Sequence, residues 1–496
     1  MKSISTFVQK KFSSLSPTKR NSIFYTGAQY GTSVFRFVQS FVLAKILGPA
    51  LMGEVSAISL ILTYGVYLQS GTYLAMLQKI PYLRGKGEND LAETYKDTAF
   101  SYTMTLSTVA FVGLAIYGLL ADLQPIYRFG FIVFGATLPM YYLYNFNNGL
   151  WRCKNQFNRL AFQSIMQSVI LLVFSISLVF VISNKAVILA MLLSYLITNI
   201  YTYKTNDEFF KFKIDINALK NLLIVGIPLI LTSVCETVVN TADRIMILNY
   251  LDETDLGLYS FPAGLAAFYY MGGKSVSSVL YQKALLEFGK NEDESQVVKT
   301  LYHGVIVLGI ISPLVGYGIE GAAFFLVDNF LPKYEPSKLI LELLITPSIF
   351  MAVTRFFTQS LITVGKQNYI LAIEVFLIGL AFGSNWLALE VFDAGLIGVT
   401  LCSGITLFGY FISMSFMSVL KVGNQSLKNF FSIAGKIISI FLLVICIKFI
   451  ARNFMFANPL EILGMNFDGV VYTLISGSIY GLFVYLVLFK FKLIQK

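Results

Sequence analysis

Only one histidine, four cysteines and two tryptophans occur among 496 residues, and only 13% of the side chains are charged. The lone histidine, His303, excludes a multi-histidine metal site, and any Ser/His/Asp arrangement would have to be built around one residue inside an apolar run. Cys153, Cys235, Cys402 and Cys446 stand at no metal-ligand or redox spacing, and three of them fall inside apolar runs, so they read as packing residues. A phosphate-binding loop is also missing. GGKS at Gly272–Ser275 lies in a hydrophobic stretch, and Phe268 stands where such a loop needs its first glycine, so ATP hydrolysis is not expected to drive this chain. No metal or cofactor is implied. The shortage of charge, with 56% hydrophobic residues and a mean hydropathy of +0.70, excludes a water-soluble protein.

What the chain has instead is a succession of apolar runs, each about 20 residues long and able to cross a hydrocarbon core roughly 30 Å thick. They predict spans near 22–46, 54–76, 97–120, 129–150, 160–183, 186–203 and 221–249. Seven more are predicted near 256–281, 300–326, 339–362, 369–391, 395–419, 429–450 and 469–489. The expected fold is an all-α polytopic membrane protein of about fourteen transmembrane helices. Residues 1–20 are basic and weakly amphipathic, with Phe7, Val8, Phe12 and Leu15 set against Lys10 and Lys11. They carry no signal-peptide core and read as an interfacial segment lying on anionic lipid.

The net charge of +10 comes in short bursts between apolar runs, with no long basic face for nucleic acid. When the loops are sorted into two alternating sets, 25 of the 37 Lys and Arg residues fall in one set and 7 in the other, with 5 inside spans. The second set contains Lys45, Arg128, Lys185, Lys333, Lys338, Lys448 and Arg452. Because cytoplasmic loops collect positive charge, both termini are expected in the cytoplasm of a bacterial cell, with the chain in the inner membrane.

The two halves are related. A gapless shift of 204 residues lays LGPALMGEVS (Leu47 to Ser56) on LDETDLGLYS (Leu251 to Ser260). It also lays Gln78 and Lys79 on Gln282 and Lys283, and GKGEND (Gly85 to Asp90) on GKNEDE (Gly289 to Glu294). A second match lays CKNQF (Cys153 to Phe157) on GKQNY (Gly365 to Tyr369). Six spans per repeat return the chain to the same side, so the repeats share one orientation. The expected organisation is an N-lobe over 21–205, a C-lobe over 206–420 and two additional C-terminal helices over 421–496. The mixed-charge segments after the second and eighth spans read as short surface helices.

Charges inside spans are costly, about 2.5–3.5 kcal/mol on insertion scales, and so mark candidate sites. Arg36, Arg244, Lys274 and Arg355 are positioned to line a cationic cavity, in which a diphosphate would find charge-assisted partners. The bland alternative is neutralisation by a neighbouring helix, or snorkelling to an interface, which Lys274 is placed to do. Glu236, Asn240, Asp243 and Arg244 follow i, i+4, i+7 and i+8 and form a polar stripe on one helix face. Under the 204 shift Arg36 falls on Asn240, so corresponding helices are expected to turn polar faces toward one cavity. Glu236 and Asp243 are candidates for binding a coupling H⁺ or Na⁺, though such acids more often balance an arginine. The segment YYLYNFNNGLW (Tyr141 to Trp151) offers faces and amides for sugars, or a plain interfacial aromatic belt.

Six plus six plus two spans, the LGPALMG turn and the GK turns together resemble the polysaccharide transporter family, the Wzx-type flippases. Lipid II flippases and multidrug and toxic compound extrusion proteins belong to the same superfamily. The resemblance implies two six-helix lobes around a central cavity that opens alternately to either membrane face. It further implies a cargo of oligosaccharide on polyprenyl diphosphate, such as an O-antigen repeat unit, and a non-enzymatic protein working beside polysaccharide polymerase and assembly proteins. A cation-coupled multidrug antiporter of the same architecture is the alternative, but it would gather acids in its cavity. A membrane glycosyltransferase or polymerase would need a sizeable outer loop, and the outer loops here are short.

Overall fold

A computed structural model describes residues 17–154, 156–205, 210–423, 425–455, 461–462, 465–466 and 468–486. Most of the expected interfacial segment over 1–20 lies outside the described residues. The helices are α1 (Pro17–Gly65), α2 (Thr72–Gly85), α3 (Asn89–Leu120), α4 (Pro125–Cys153), α5 (Phe157–Ile182), α6 (Lys185–Thr205) and α7 (Ile216–Tyr250). They continue as α8 (Glu253–Asn291), α9 (Glu294–Phe330), α10 (Ser337–Ile345), α11 (Ser348–Thr363), α12 (Asn368–Trp386), α13 (Gly395–Lys421), α14 (Leu427–Met455) and α15 (Asp468–Tyr485). The two short strands β1 (Glu461–Ile462) and β2 (Met465–Asn466) pair antiparallel between α14 and α15.

The predicted spans overlie helices, although 54–76 runs across a turn at 66–71 and 469–489 reaches beyond the described residues, and the chain is an all-α multi-span membrane protein. Ten described helical segments are long and apolar enough to cross a membrane by length and composition. Their outward faces carry large apolar side chains such as Leu120 (81% exposed) and Val181 (79%), which only a lipid environment accommodates at this density.

The first two predicted spans are one helix with a sharp break. Gly48 sits at φ 76, ψ 176, directly before Pro49. A proline disfavours helical backbone in the residue before it and lacks an N–H, while glycine tolerates positive φ. The tenth span is likewise split, at Thr346–Pro347, into α10 and α11. After the eighth span no separate surface helix forms: α8 and α9 extend until only Glu292 and Asp293 separate them.

The chain divides into two compact units, one of residues 1–47 and 54–234, the other of residues 48–53 and 235–496. In the first, α3 packs on α4, α4 on α6 and α5 on α6. Its core contains Phe134, Leu138, Tyr142, Phe146 and Leu150. The chain entering α7 is pinned along α3, where the N–H groups of Lys211, Lys213 and Asp215 donate to Asp97 Oδ1 (3.1 Å), Ser101 Oγ (2.9 Å) and Thr98 Oγ1 (3.1 Å).

In the second unit α11 is the buried centre, packed by α8, α9 and α13 through Phe350, Phe356, Phe357 and Phe411. Helix α15 lies along α9. Its Tyr480 hydroxyl donates to the Ile310 carbonyl at 2.9 Å. The 48–53 segment belongs here for a specific reason. Gly53 abuts the backbone of Glu253, and Gly257 abuts the backbone of Pro49. The shift of 204 converts the first contact into the second, so the repeat seen in the sequence reappears as a reciprocal backbone contact that any Cβ would block.

Candidate functional site

The polar stripe of α7 lies in the second unit, facing α8, α11, α12 and α13. At its start Glu236 forms a bidentate ion pair with Arg355 of α11, through Nη2 to Oε1 and through Nη1 to Oε2 at 3.4 Å. Lys274 of α8 is exposed and lies within electrostatic reach of Glu236. Two turns further along α7, Asp243 accepts a hydrogen bond from the hydroxyl of the buried Tyr259 on α8. Ser403 of α13 completes the group, 2.9 Å from the Tyr259 hydroxyl and 3.5 Å from the same carboxylate oxygen. The other Asp243 oxygen accepts the Arg244 backbone N–H at 2.8 Å.

Arg244 is different in kind from Arg355. Among the described residues it has no carboxylate at ion-pair distance, Asp243 lying only within electrostatic reach, while its Nε, like that of Arg355, is buried without a hydrogen-bond partner. With Asn240, Asp243, Tyr270, Asn385 and Tyr410 it lines a cavity of ≈ 90 Å³. The buried Oδ1 of Asn385 also has no partner. The cavity wall therefore combines an uncommitted guanidinium with amide and phenol groups. A larger cavity of ≈ 810 Å³ in this unit, lined by Asp255, Asp328, Lys338, Glu342 and Arg452 among others, mixes both charge signs and includes none of the α7 stripe.

Arg36 lies in the first unit, on α1, exposed and within electrostatic reach of Tyr141 and Tyr195. Tyr195 is a hub: the rings of Tyr141 and Tyr144 meet it edge-on at 5.6 and 5.3 Å. The aromatic segment ending at Trp151 is mostly core. Tyr142, Phe146, Asn147, Asn148 and Trp151 are buried, so as a whole it is neither an interfacial belt nor an open sugar platform.

Three spanning acids were missed by the sequence reading although they stand in plain view inside apolar runs: Glu320, Glu342 and Glu374. Glu320 of α9 pairs with Lys448 of α14. Lys448 itself, assigned above to an outer loop, is buried, because its ammonium turns inward to Glu320 and to Thr346 Oγ1 at 2.7 Å. Tyr472 of α15 donates to Glu342 at 3.0 Å. Glu374 of α12 is buried, with the Tyr410 hydroxyl donating to its Oε1 at 3.3 Å. No group of three or more His, Cys, Asp or Glu side chains among the described residues has a metal-holding arrangement, and all four cysteines are free.

Two helical units, with charged and polar side chains gathered at the interior of apolar helices, define a multi-span helical membrane protein. The fold is similar to that of the lipid II flippase MurJ in an inward closed conformation, with a TM-score of 0.71 over 94% of this chain and 99% of that one at 13% identity. It is also similar to a multidrug resistance MATE family transporter in an inward-facing conformation, with a TM-score of 0.59 over 83% and 94% of the two chains at 14% identity. In sequence, residues 42–326 match the family described as polysaccharide biosynthesis protein. The chain belongs to that family. Over 257 residues it is 26% identical to the Lsg locus putative protein 1 of Haemophilus influenzae (strain ATCC 51907 / DSM 11121 / KW20 / Rd), an alignment spanning 50% of this chain and 61% of that protein.

Proposed function

We propose that this protein is a flippase that carries a polyprenyl-diphosphate-linked oligosaccharide, such as an O-antigen or other surface polysaccharide repeat unit, across the bacterial cytoplasmic membrane by alternating access. The observation that carries this reading is Arg244, a cation held in a membrane-embedded cavity wall with no carboxylate at ion-pair distance among the described residues, Asp243 lying only within electrostatic reach. Keeping such a charge unpaired is expensive, and an anionic cargo supplies the missing partner. Family membership and a lipid-flippase-like fold support the same cargo class.

In this reading Arg244 is the first diphosphate ligand, and Arg36, Lys274 and Arg355 are further cationic contacts. Asn240, exposed beside Arg244, lines the path and meets sugar hydroxyls. Asp243 and Glu236 serve ion coupling to H⁺ or Na⁺. The excess of Lys and Arg in alternate loops supports a cytoplasmic location for both termini in this reading. The protein performs no covalent chemistry and delivers its cargo to polysaccharide polymerase and assembly proteins.

The test is transport of a defined polyprenyl diphosphate oligosaccharide in proteoliposomes. A charge-assisted hydrogen bond is worth about 1.5–3 kcal/mol, so Arg244→Ala should weaken apparent cargo affinity roughly ten- to a hundred-fold. Absence of oligosaccharide transport by the wild-type protein, with exchange of an organic cation for H⁺ or Na⁺ instead, would overturn the reading in favour of a multidrug antiporter.

A further inference from the structure

Glu374 has no part in the site as drawn above, yet it is the least satisfied acid near it. Its side chain is 3% exposed in the second turn of α12, Oε1 is met only by Tyr410, and Oε2 is buried without any hydrogen-bond partner. No Lys or Arg among the described residues lies at ion-pair distance from it. The groups that face it are Cys235 and Glu236 from α7, Arg355 from α11 and Tyr410 from α13. Two carboxylates thus share the neighbourhood of one guanidinium, and that guanidinium is bonded to Glu236. Arg355 also keeps a buried Nε with no acceptor.

A carboxylate that is desolvated and unpaired takes a proton in preference to staying charged, whereas one bonded to a guanidinium stays ionised. We propose that Glu374 is a proton-carrying site, and that Arg355 is exchanged between Glu236 and Glu374 during transport. With Arg355 on Glu236, the proton sits on Oε2 of Glu374, the oxygen Tyr410 does not reach. When Arg355 turns to Glu374, that proton leaves to water and Glu236 takes one up, so the interior stays neutral. When an anionic cargo draws Arg355 away from both, Glu374 keeps its proton and Glu236 gains one from water, so cargo and one proton bind together. This last step rests on the flippase reading; the proton on Glu374 does not.

The experiment is infrared absorption of the purified protein in lipid nanodiscs at neutral pH, read in the carbonyl-stretch band of protonated carboxylic acids and its shift in D₂O. The wild-type protein should show such a band, Glu374→Gln should lose it, and Glu236→Gln, which leaves Glu374 as the carboxylate Arg355 can turn to, should weaken it. Arg355→Gln should gain a second carboxylic-acid band that the double variant Arg355→Gln/Glu236→Gln lacks, which tests the shared guanidinium without altering Glu374. A wild-type spectrum from which Glu374→Gln removes nothing overturns the proposal. Adding a polyprenyl diphosphate oligosaccharide in weak buffer with a pH indicator should then register uptake of one proton per cargo bound, abolished in the double variant Glu236→Gln/Glu374→Gln. An intact Glu374 band with no cargo binding overturns the flippase reading and leaves the proton site standing; cargo binding without proton uptake overturns the coupling.

Discussion

Replacing Lys448 with Met isolates a structural charge pair from the functional ones. The Lys448 and Glu320 side chains are 6% and 0% exposed, and the pair joins α14 to α9. Thr346 at the break between α10 and α11 accepts a further bond from the ammonium at 2.7 Å, and the Tyr317 ring lies 5.7 Å from it. Removing one member of a buried pair leaves the other charge desolvated and alone, which costs about 3–5 kcal/mol, whereas replacing both with neutral side chains of similar size is close to neutral. Lys448→Met should therefore lower the thermal unfolding midpoint clearly, and Lys448→Met/Glu320→Gln should recover most of the loss. The assay is a double-mutant cycle of unfolding midpoints in one detergent, with transport measured in parallel. Transport by the double variant should stay near the wild-type level, since neither residue touches the α7 cavity. A single variant as stable as the wild type would refute the reasoning, as would a double variant less stable than both singles.

Three further outcomes are expected. Gly53→Ala and Gly257→Ala should each abolish folded protein in the membrane, judged by fluorescence-detected size exclusion, because the new methyl group would overlap the carbonyl oxygen of Glu253 or Pro49. Gly113→Ala in α3, with nothing within 4 Å, should be tolerated or slightly stabilising. Glu294, at the start of α9 and outside the predicted span, accepts from Lys366 Nζ at 2.8 Å and from the Gly423 N–H at 2.7 Å. Partial burial pushes its carboxyl group up, but these bonds outweigh that and hold it below the ordinary value of 4.5. A group depressed in this way stabilises the folded state above its unfolded pKa and loses that contribution as the pH falls through its folded pKa. Glu294→Gln should accordingly flatten the loss of stability below about pH 4.5, measured as unfolding midpoint against pH.

Much of the architecture was legible because the membrane simplifies the code. An apolar run long enough to span must become a helix, since no other single segment satisfies its own backbone in lipid. Position along α7 was legible for the same reason: helical spacing alone puts Glu236, Asn240, Asp243 and Arg244 on one face. What spacing cannot supply is the partner. Glu236 and Arg355 are 119 residues apart, and nothing local distinguishes the ion-paired Arg355 from Arg244. Lys448 was misplaced because a lysine close to a predicted span end reads as a snorkelling loop residue until the helix carrying Glu320 is seen beside it. The aromatic stretch before Trp151 misled in the other direction, since burial of its rings depends on α2, α3 and α6 rather than on its own composition.

By itself, then, the amino-acid sequence determined the helical character and order of the apolar segments, the repeat of 204 residues and the stripe on α7, all consequences of local hydropathy and helical period. Only the tertiary structure decided which charges neutralise one another, which stay available to a ligand, and that Glu374 stands unpaired beside a shared arginine. The reason is physical: in a low-dielectric interior the state of a charge is set by groups within a few ångströms, and packing brings those from helices more than a hundred residues apart.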